Sequence, residues 1–376
     1  MSDPRAMTTM TPNSLPSGAS ASTPASPAAL IRRLVLMALA VAFMAYLPVL
    51  LTDRAILGVR LSNMQLLNLG MSQINLMLIA MLGALSLNYL TGCAGLISIG
   101  HGAFYATGAM TAAIAGTKWG LPFPVVLVVC AVSGALVGLL AGLPSLRVRG
   151  LYFVLSTLAV HYVVLHVFLE YQFKFFDVVG IPYNPATLGP LEINTPIRWY
   201  FFLLALVVLV YIGLRNSLHT REGRLMMAMR DHELAATAVG ADVRILRLKA
   251  FAFSSAIASV AGALHAYFMS NVTSESFGIT FAIQFIAMII IGGMGSLAGS
   301  LVGAALWLLL PSVITGFAAQ ANGSTGLVHL LLVEHRAQLV QAIFGMLIIL
   351  LLIFAPGGMA GIGKQLRARW AARRST

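Results

Sequence analysis

Long apolar runs separated by short polar connections dominate this chain. With about 20 residues needed per bilayer crossing, they predict about ten membrane segments. These fall roughly at 34–51, 64–89, 93–116, 122–143, 151–169, 199–214, 250–270, 281–292, 297–313 and 337–355. The 281–292 run is too short to cross alone, so broken or re-entrant helices are expected. One stretch, residues 215–249, breaks the pattern: it is charged and helix-forming, and it cannot lie in a bilayer. Glu222 to Val239 has no proline and is rich in strong helix formers, and Gly240 marks a helix stop. Leu225, Met226 and Met229 form an apolar stripe, Arg230 and Glu233 are spaced to pair at i,i+3, and Ala235, Ala236 and Ala238 keep the later turns thin. Two placements remain open for this helix: on lipid or against its own protein, or docked into a partner's groove.

Composition turns the pattern into a fold class. A mean hydropathy of +0.91, with 59% hydrophobic and only 9% charged residues, excludes a soluble domain. The class is all-α, a polytopic membrane protein. Residues 1–30 are Ser/Pro/Thr/Ala-rich and read as a disordered tail. The run after Arg32 and Arg33 is longer than a signal-peptide core and lacks a small-residue cleavage site, so it reads as an uncleaved first span. Cys93 and Cys130 lie in apolar surroundings and give neither a disulfide framework nor a metal site.

The net charge of +12 changes the picture less than its distribution does. With the amino terminus inside, the inner regions are the tail, the Arg147/Arg149 loop, residues 215–249 and the basic 359–376 end. They hold 17 of the 23 Lys and Arg residues. That matches the positive-inside rule, puts both termini and the charged island in the cytoplasm, and removes any need for nucleic acid as a partner. Of the carboxylates, Glu170 sits at a segment boundary and no other lies in a segment. Proton-coupled carriers usually hold such a group in the membrane; here only His101, His161, His166 and His265 are available. No GxxxxGK[ST] phosphate loop is present, so energy comes from elsewhere or the protein is a passive channel.

Two glycine-interrupted stretches are candidates for a pathway. Gly92 to Gly116 combines six glycines with Ser98, His101, Tyr105, Thr107 and Thr111, and a break before Gly102 would free backbone groups to line a cavity. The second stretch places Gly292 and Gly293 between two apolar segments, with Gly295, Gly299 and Gly303 following at i,i+4. Paired interruptions in the two halves of a chain point toward a transport site. Tight helix packing explains the same glycines equally well, and for the Gly295, Gly299 and Gly303 row it is the preferred reading. His101 is the histidine in polar, Gly-rich surroundings.

Three stretches together resemble the permease subunits of branched-chain amino acid ABC importers of the LivM type. They are SLNYLTGCAGLISIGHGAFYATGAMTAA from Ser86, GRLMMAMRDHELAATAVGADVRILRLKAFAFSSAIASVAGALHA from Gly223, and FIAMIIIGGMGSLAGSLVGAAL from Phe285. Ile99 stands where Leu is commoner, Glu233 is one position early relative to the general coupling motif because Leu234 intervenes, and the end reads Phe354, Ala355, Pro356, Gly357, Gly358 without the family's arginine. The resemblance implies a non-catalytic subunit with no cofactor of its own, ATP being bound by its partners. Those partners are two ABC ATPase subunits, a homologous second permease and an extracytoplasmic solute-binding protein, at a bacterial inner membrane. It makes 31–358 the permease domain and 215–249 its coupling loop, with Arg224, Arg230, Glu233, Ala235, Ala236 and Gly240 as ATPase-docking candidates. It sets Asn88, Gly95, Ser98, His101, Tyr105, Gly292 and Gly293 along the translocation pathway. The cargo is a small zwitterion such as leucine; related permeases for urea, short amides or aromatic acids are one alternative, and a self-sufficient channel or ion-coupled carrier is another.

Overall fold

The computed structural model describes residues 70–148, 150–175, 180–183, 186–188, 191–321, 335–355 and 357–362. The predicted 34–51 span, the 1–30 tail and the 359–376 tail beyond Ile362 lie outside them. The described chain runs α1 (Met71–Leu87), α2 (His101–Ala113), α3 (Phe123–Gly142), α4 (Leu151–Phe175), α5 (Pro196–His219), α6 (Arg221–Asp231), α7 (Glu233–Ala238), α8 (Val243–Met269), α9 (Ile279–Gly292), α10 (Leu297–Ala321) and α11 (Arg336–Phe354). Seven membrane-length apolar helices occur among the described residues, with a shorter apolar helix at Gln338–Leu351. The count of ten is thus not reached there.

The predicted 93–116 span is interrupted: residues 94–99 are not helical, and α2 starts only at His101. The 281–292 run, by contrast, gains a preceding 3₁₀ turn and reaches membrane length as Ser274–Gly292. The 151–169 segment also runs longer than its apolar core, because nothing stops the helix until Phe175, so Glu170 lies inside it. At the start of α5, Pro196 occupies the first turn and the Thr195 hydroxyl accepts from the Arg198 amide.

α8 organises the interior through small residues that let neighbouring backbones approach. Ser254 Oγ donates to Ser86 O at 2.7 Å, tying α8 to α1. Ser259 Oγ donates to Cys130 O at 2.6 Å on α3, and a Cβ at Gly108 of α2 would lie 1.8 Å from the Ser259 carbonyl. Gly134 and Gly138 of α3 close on Ser255 and Ser259 in the same way, so these glycines serve packing. Cys93 and Cys130 are buried free thiols. At the end of the spans opposite residues 215–249, β1 (Ile181–Pro182) pairs with β4 (Asn271–Val272), and β2 (Thr187–Leu188) forms a hairpin with β3 (Leu191–Glu192). Tyr183 anchors this cap by donating to Ala109 O at 3.0 Å; burial pushes its phenol well above the ordinary value and keeps it a donor.

Candidate functional site

The two glycine-interrupted stretches meet. After α1 the backbone widens into a π turn, Asn88–Cys93, a feature frequent at functional sites. Gly95 then takes φ +75°, open to glycine without strain. On the other side, α9 ends at Gly292, Gly293 and Gly295 have φ +109° and +82°, and α10 starts at Leu297. Gly295 is therefore outside the helix, and only Gly299 and Gly303 of the proposed packing row lie within it, against Gly292 and Met288. A helical Gly295 would have turned its amide into the helix ladder and away from its partner, Asn88.

Asn88 joins the two breaks. Its Nδ2 donates to Ser296 O at 2.8 Å, beside the Ser300 amide that the same carbonyl accepts at 3.0 Å, and its Oδ1 accepts from the Gly295 amide at 2.8 Å, so one wholly buried side chain satisfies the amide freed by the second break. No Cβ fits at Gly92, where it would lie 1.9 Å from Asn88 Oδ1 and 2.3 Å from the Gly295 amide nitrogen. From the far side, the turn at Gly357 and Gly358 closes on Gly293.

Residues 215–249 reach this junction directly. Rather than one helix over 222–239, they form α6 and α7 with an extended break at His232 (φ −149°, ψ 101°). The break sends two charged side chains to different places. Arg230 Nη1 donates to the Gly92 carbonyl, with its stem against Gly95 and its guanidinium beside Gly295. Glu233 pairs with Arg247 at 2.9 Å, and Arg247 also donates to Ser145 O at 2.7 Å. Met226 and Met229 supply the expected buried stripe, and the Tyr89 hydroxyl of the π turn reaches Met226 Sδ at 3.5 Å. Thr220 caps α6 through the Gly223 amide, and Gly240, at φ +83°, follows α7 as its stop.

The ATPase-docking candidates separate accordingly. Arg224, Ala235 and Gly240 are exposed. Ala236 is 1% exposed and faces its own protein, so its smallness serves internal packing. The most exposed apolar groups on and beside these helices are Leu234, 84% exposed, and Val239, 67% exposed, neither of which stands out in sequence. A cavity of about 550 Å³ opens beside these helices, with Gly95, Ile97, Phe153, Arg230, Glu233 and Arg247 in its wall. Arg247 is the residue the sequence reading passed over; its signal is a cation one turn before a long apolar run.

The remaining pathway candidates are interior. His101 is fully buried, its Nε2 lies 2.7 Å from Ser86 Oγ, and its ring meets Phe104 and Phe285 edge-on. Ser86 Oγ is also 2.8 Å from Gly83 O, and Nδ1 has no hydrogen-bond partner among the described residues. Tyr105 donates to Ile79 O at 3.0 Å and packs among Phe277, Phe281 and Phe285. Ser98 is buried, and its hydroxyl has no hydrogen-bond partner among the described residues. Asn88, Gly95 and Gly293 share the junction, whereas His101 and Tyr105 belong to the aromatic interior.

A family model described as branched-chain amino acid transport system / permease component matches residues 71–355. The chain is 33% identical over 236 residues to the high-affinity branched-chain amino acid transport system permease protein LivM of Escherichia coli, covering 56% of each chain. It is 26% identical over 265 residues to a probable LivM permease of Methanocaldococcus jannaschii (69% of this chain, 74% of the relative). It is 27% identical over 296 residues to the same organism's probable LivH permease (77% and 89%). The match to the bacterial relative thus spans little more than half of that protein. No solved structure matches the chain.

Proposed function

This chain belongs to the branched-chain amino acid transport permease family, and from that membership we propose that it is a membrane subunit of an ATP-driven importer of branched-chain amino acids. It sits in a cytoplasmic membrane with residues 215–249 and both termini in the cytoplasm, a placement supported by the bias of Lys and Arg. α6 and α7 dock an ATPase subunit through Leu234 and Val239 together with Arg224, Ala235 and Gly240, all exposed. A solute-binding protein delivers the cargo from outside, and a second permease completes the membrane part.

The observation carrying this reading is Arg230, which runs from the docking helix to the backbone of the first break, where Asn88 already holds the second. A nucleotide-driven shift of α6 therefore moves both breaks together, without needing a flexible relay. The proposed pathway runs past these breaks, which lie at the ends of the spans Met71–Cys93, Ser274–Gly292 and Leu297–Gly316 that face residues 215–249. The test is leucine uptake into proteoliposomes holding the purified complex and its binding protein. Uptake that requires ATP on the coupling-loop side supports the proposal; equal uptake without ATP removes it.

A further inference from the structure

The exposed faces of the spans are not alike. α3 presents Val128, Val132, Leu136 and Leu140, and α5 presents Phe201, Leu209 and Ile212, surfaces that lipid tails cover without cost. α4 is the least covered span, with 22% of its apolar window buried against 78% for the first. Its exposed residues Tyr152, Leu155, Ala159, Tyr162, His166 and Glu170 recur every three or four positions along one face. His166 and Glu170 have no hydrogen bond or ion pair with any described residue.

Depth decides what can cover this face. At 1.5 Å per residue, His166 lies about 5 Å and Glu170 about 10 Å from the middle of a 25-residue helix. Both positions fall inside a hydrocarbon layer reaching about 15 Å to each side. Lipid is a poor cover for an unpaired carboxylate at that depth, and a soluble partner cannot reach it. A membrane-embedded protein segment suits this face better, either the chain's own 34–51 run, which lies outside the described residues, or another chain. A second copy of this chain, related by a twofold axis along the membrane normal, would set the two Glu170 carboxylates at one depth facing each other, which is unfavourable for like charges. A homologous chain with a different side chain at that level avoids this. One organism, M. jannaschii, holds both a LivM and a LivH relative of this sequence.

We propose that the Tyr152–Glu170 face of α4 is the seat of a second, homologous permease chain, which offers a hydrogen-bond donor to Glu170 in the seam between them. The inference rests on the reading of this chain as one of two permeases. The test uses the tagged full-length chain carrying a photoreactive benzophenone side chain, at Tyr162 on α4 or at Val132 on α3, in the native complex. Irradiation is expected to join position 162 to a homologous permease, identified by mass spectrometry, and position 132 to lipid. In parallel, Glu170→Lys is expected to lower co-purification of that permease at least tenfold, whereas Glu170→Gln keeps it. A 162 adduct with lipid, with the chain's own 34–51 run, or with a second copy of this chain, overturns the seat while co-purification of the other permease leaves the two-permease reading standing. Undiminished co-purification by Glu170→Lys also overturns it. If no homologous permease co-purifies from two detergents, the reading and the seat fail together.

Discussion

Replacing Arg230 with alanine tests the mechanical link most sharply. The substitution removes one guanidinium-to-carbonyl hydrogen bond, to Gly92 O, and the stem contact on Gly95. A hydrogen bond from a charged donor contributes about 1.5–3 kcal/mol. Much of Arg230 is solvent-exposed, so the lower end applies, about 1.5 kcal/mol, equivalent to roughly tenfold in an equilibrium. If the bond serves to pass motion from α6 to the breaks, the loss falls on coupling, within the 1–3 kcal/mol typical of linked sites. The assay is simultaneous leucine uptake and ATP hydrolysis by the reconstituted complex. The expected result is about a tenfold fall in leucine moved per ATP hydrolysed, with hydrolysis and assembly within about twofold of normal. Arg221→Ala, at an exposed position on the same helix and outside the docking set, is expected to leave that ratio unchanged. An unchanged ratio for Arg230→Ala, or a fall matched by lost assembly, refutes the reasoning.

Four further outcomes are expected. Asn88→Ala strands the Gly295 amide, at about 1–3 kcal/mol, and takes one of two donors from the Ser296 carbonyl, which keeps the Ser300 amide; the Tm in detergent should fall by about 2 °C or more, and an unchanged Tm contradicts the junction. Leu234→Asp and Val239→Asp, on the exposed side of α7, should cut ATPase recovery in a pull-down while leaving the chain's own Tm in place. Ala236→Leu overfills a buried site at a cost of about 1–3 kcal/mol, so it should lower thermal stability first, and full stability with lost docking would return Ala236 to the outer surface. Arg247→Met breaks both the Glu233 pair and the bond to Ser145, and limited proteolysis near α7 should accelerate; an unchanged cleavage rate would show that α7 is held by other contacts.

Much of this architecture was legible because it is local. Apolar runs set most spans, Pro196 and Gly240 mark helix ends, and the glycines at 92–95 and 292–295 mark breaks where helical backbone gives way. What escaped depends on partners far along the chain. The break at His232 has no proline or glycine to announce it; it accompanies the divergent reach of Arg230 to Gly92 and Glu233 to Arg247. Ala236 carries the same local signal whether it faces a partner or its own protein. Asn88 became a candidate only through the family resemblance, and its role of bridging to residues about 200 positions away has no periodicity to betray it. The continuation of α4 through Glu170 likewise contradicts the cue that a carboxylate closes an apolar run.

The most direct measurement is a pull-down of the tagged chain from native membranes in mild detergent, with mass spectrometry of the proteins retained. Recovery of a Walker-type ATPase together with a second permease is the predicted result. A homo-oligomer with neither partner, repeated in two detergents, would contradict the ATP-driven importer and point to a self-sufficient channel or carrier.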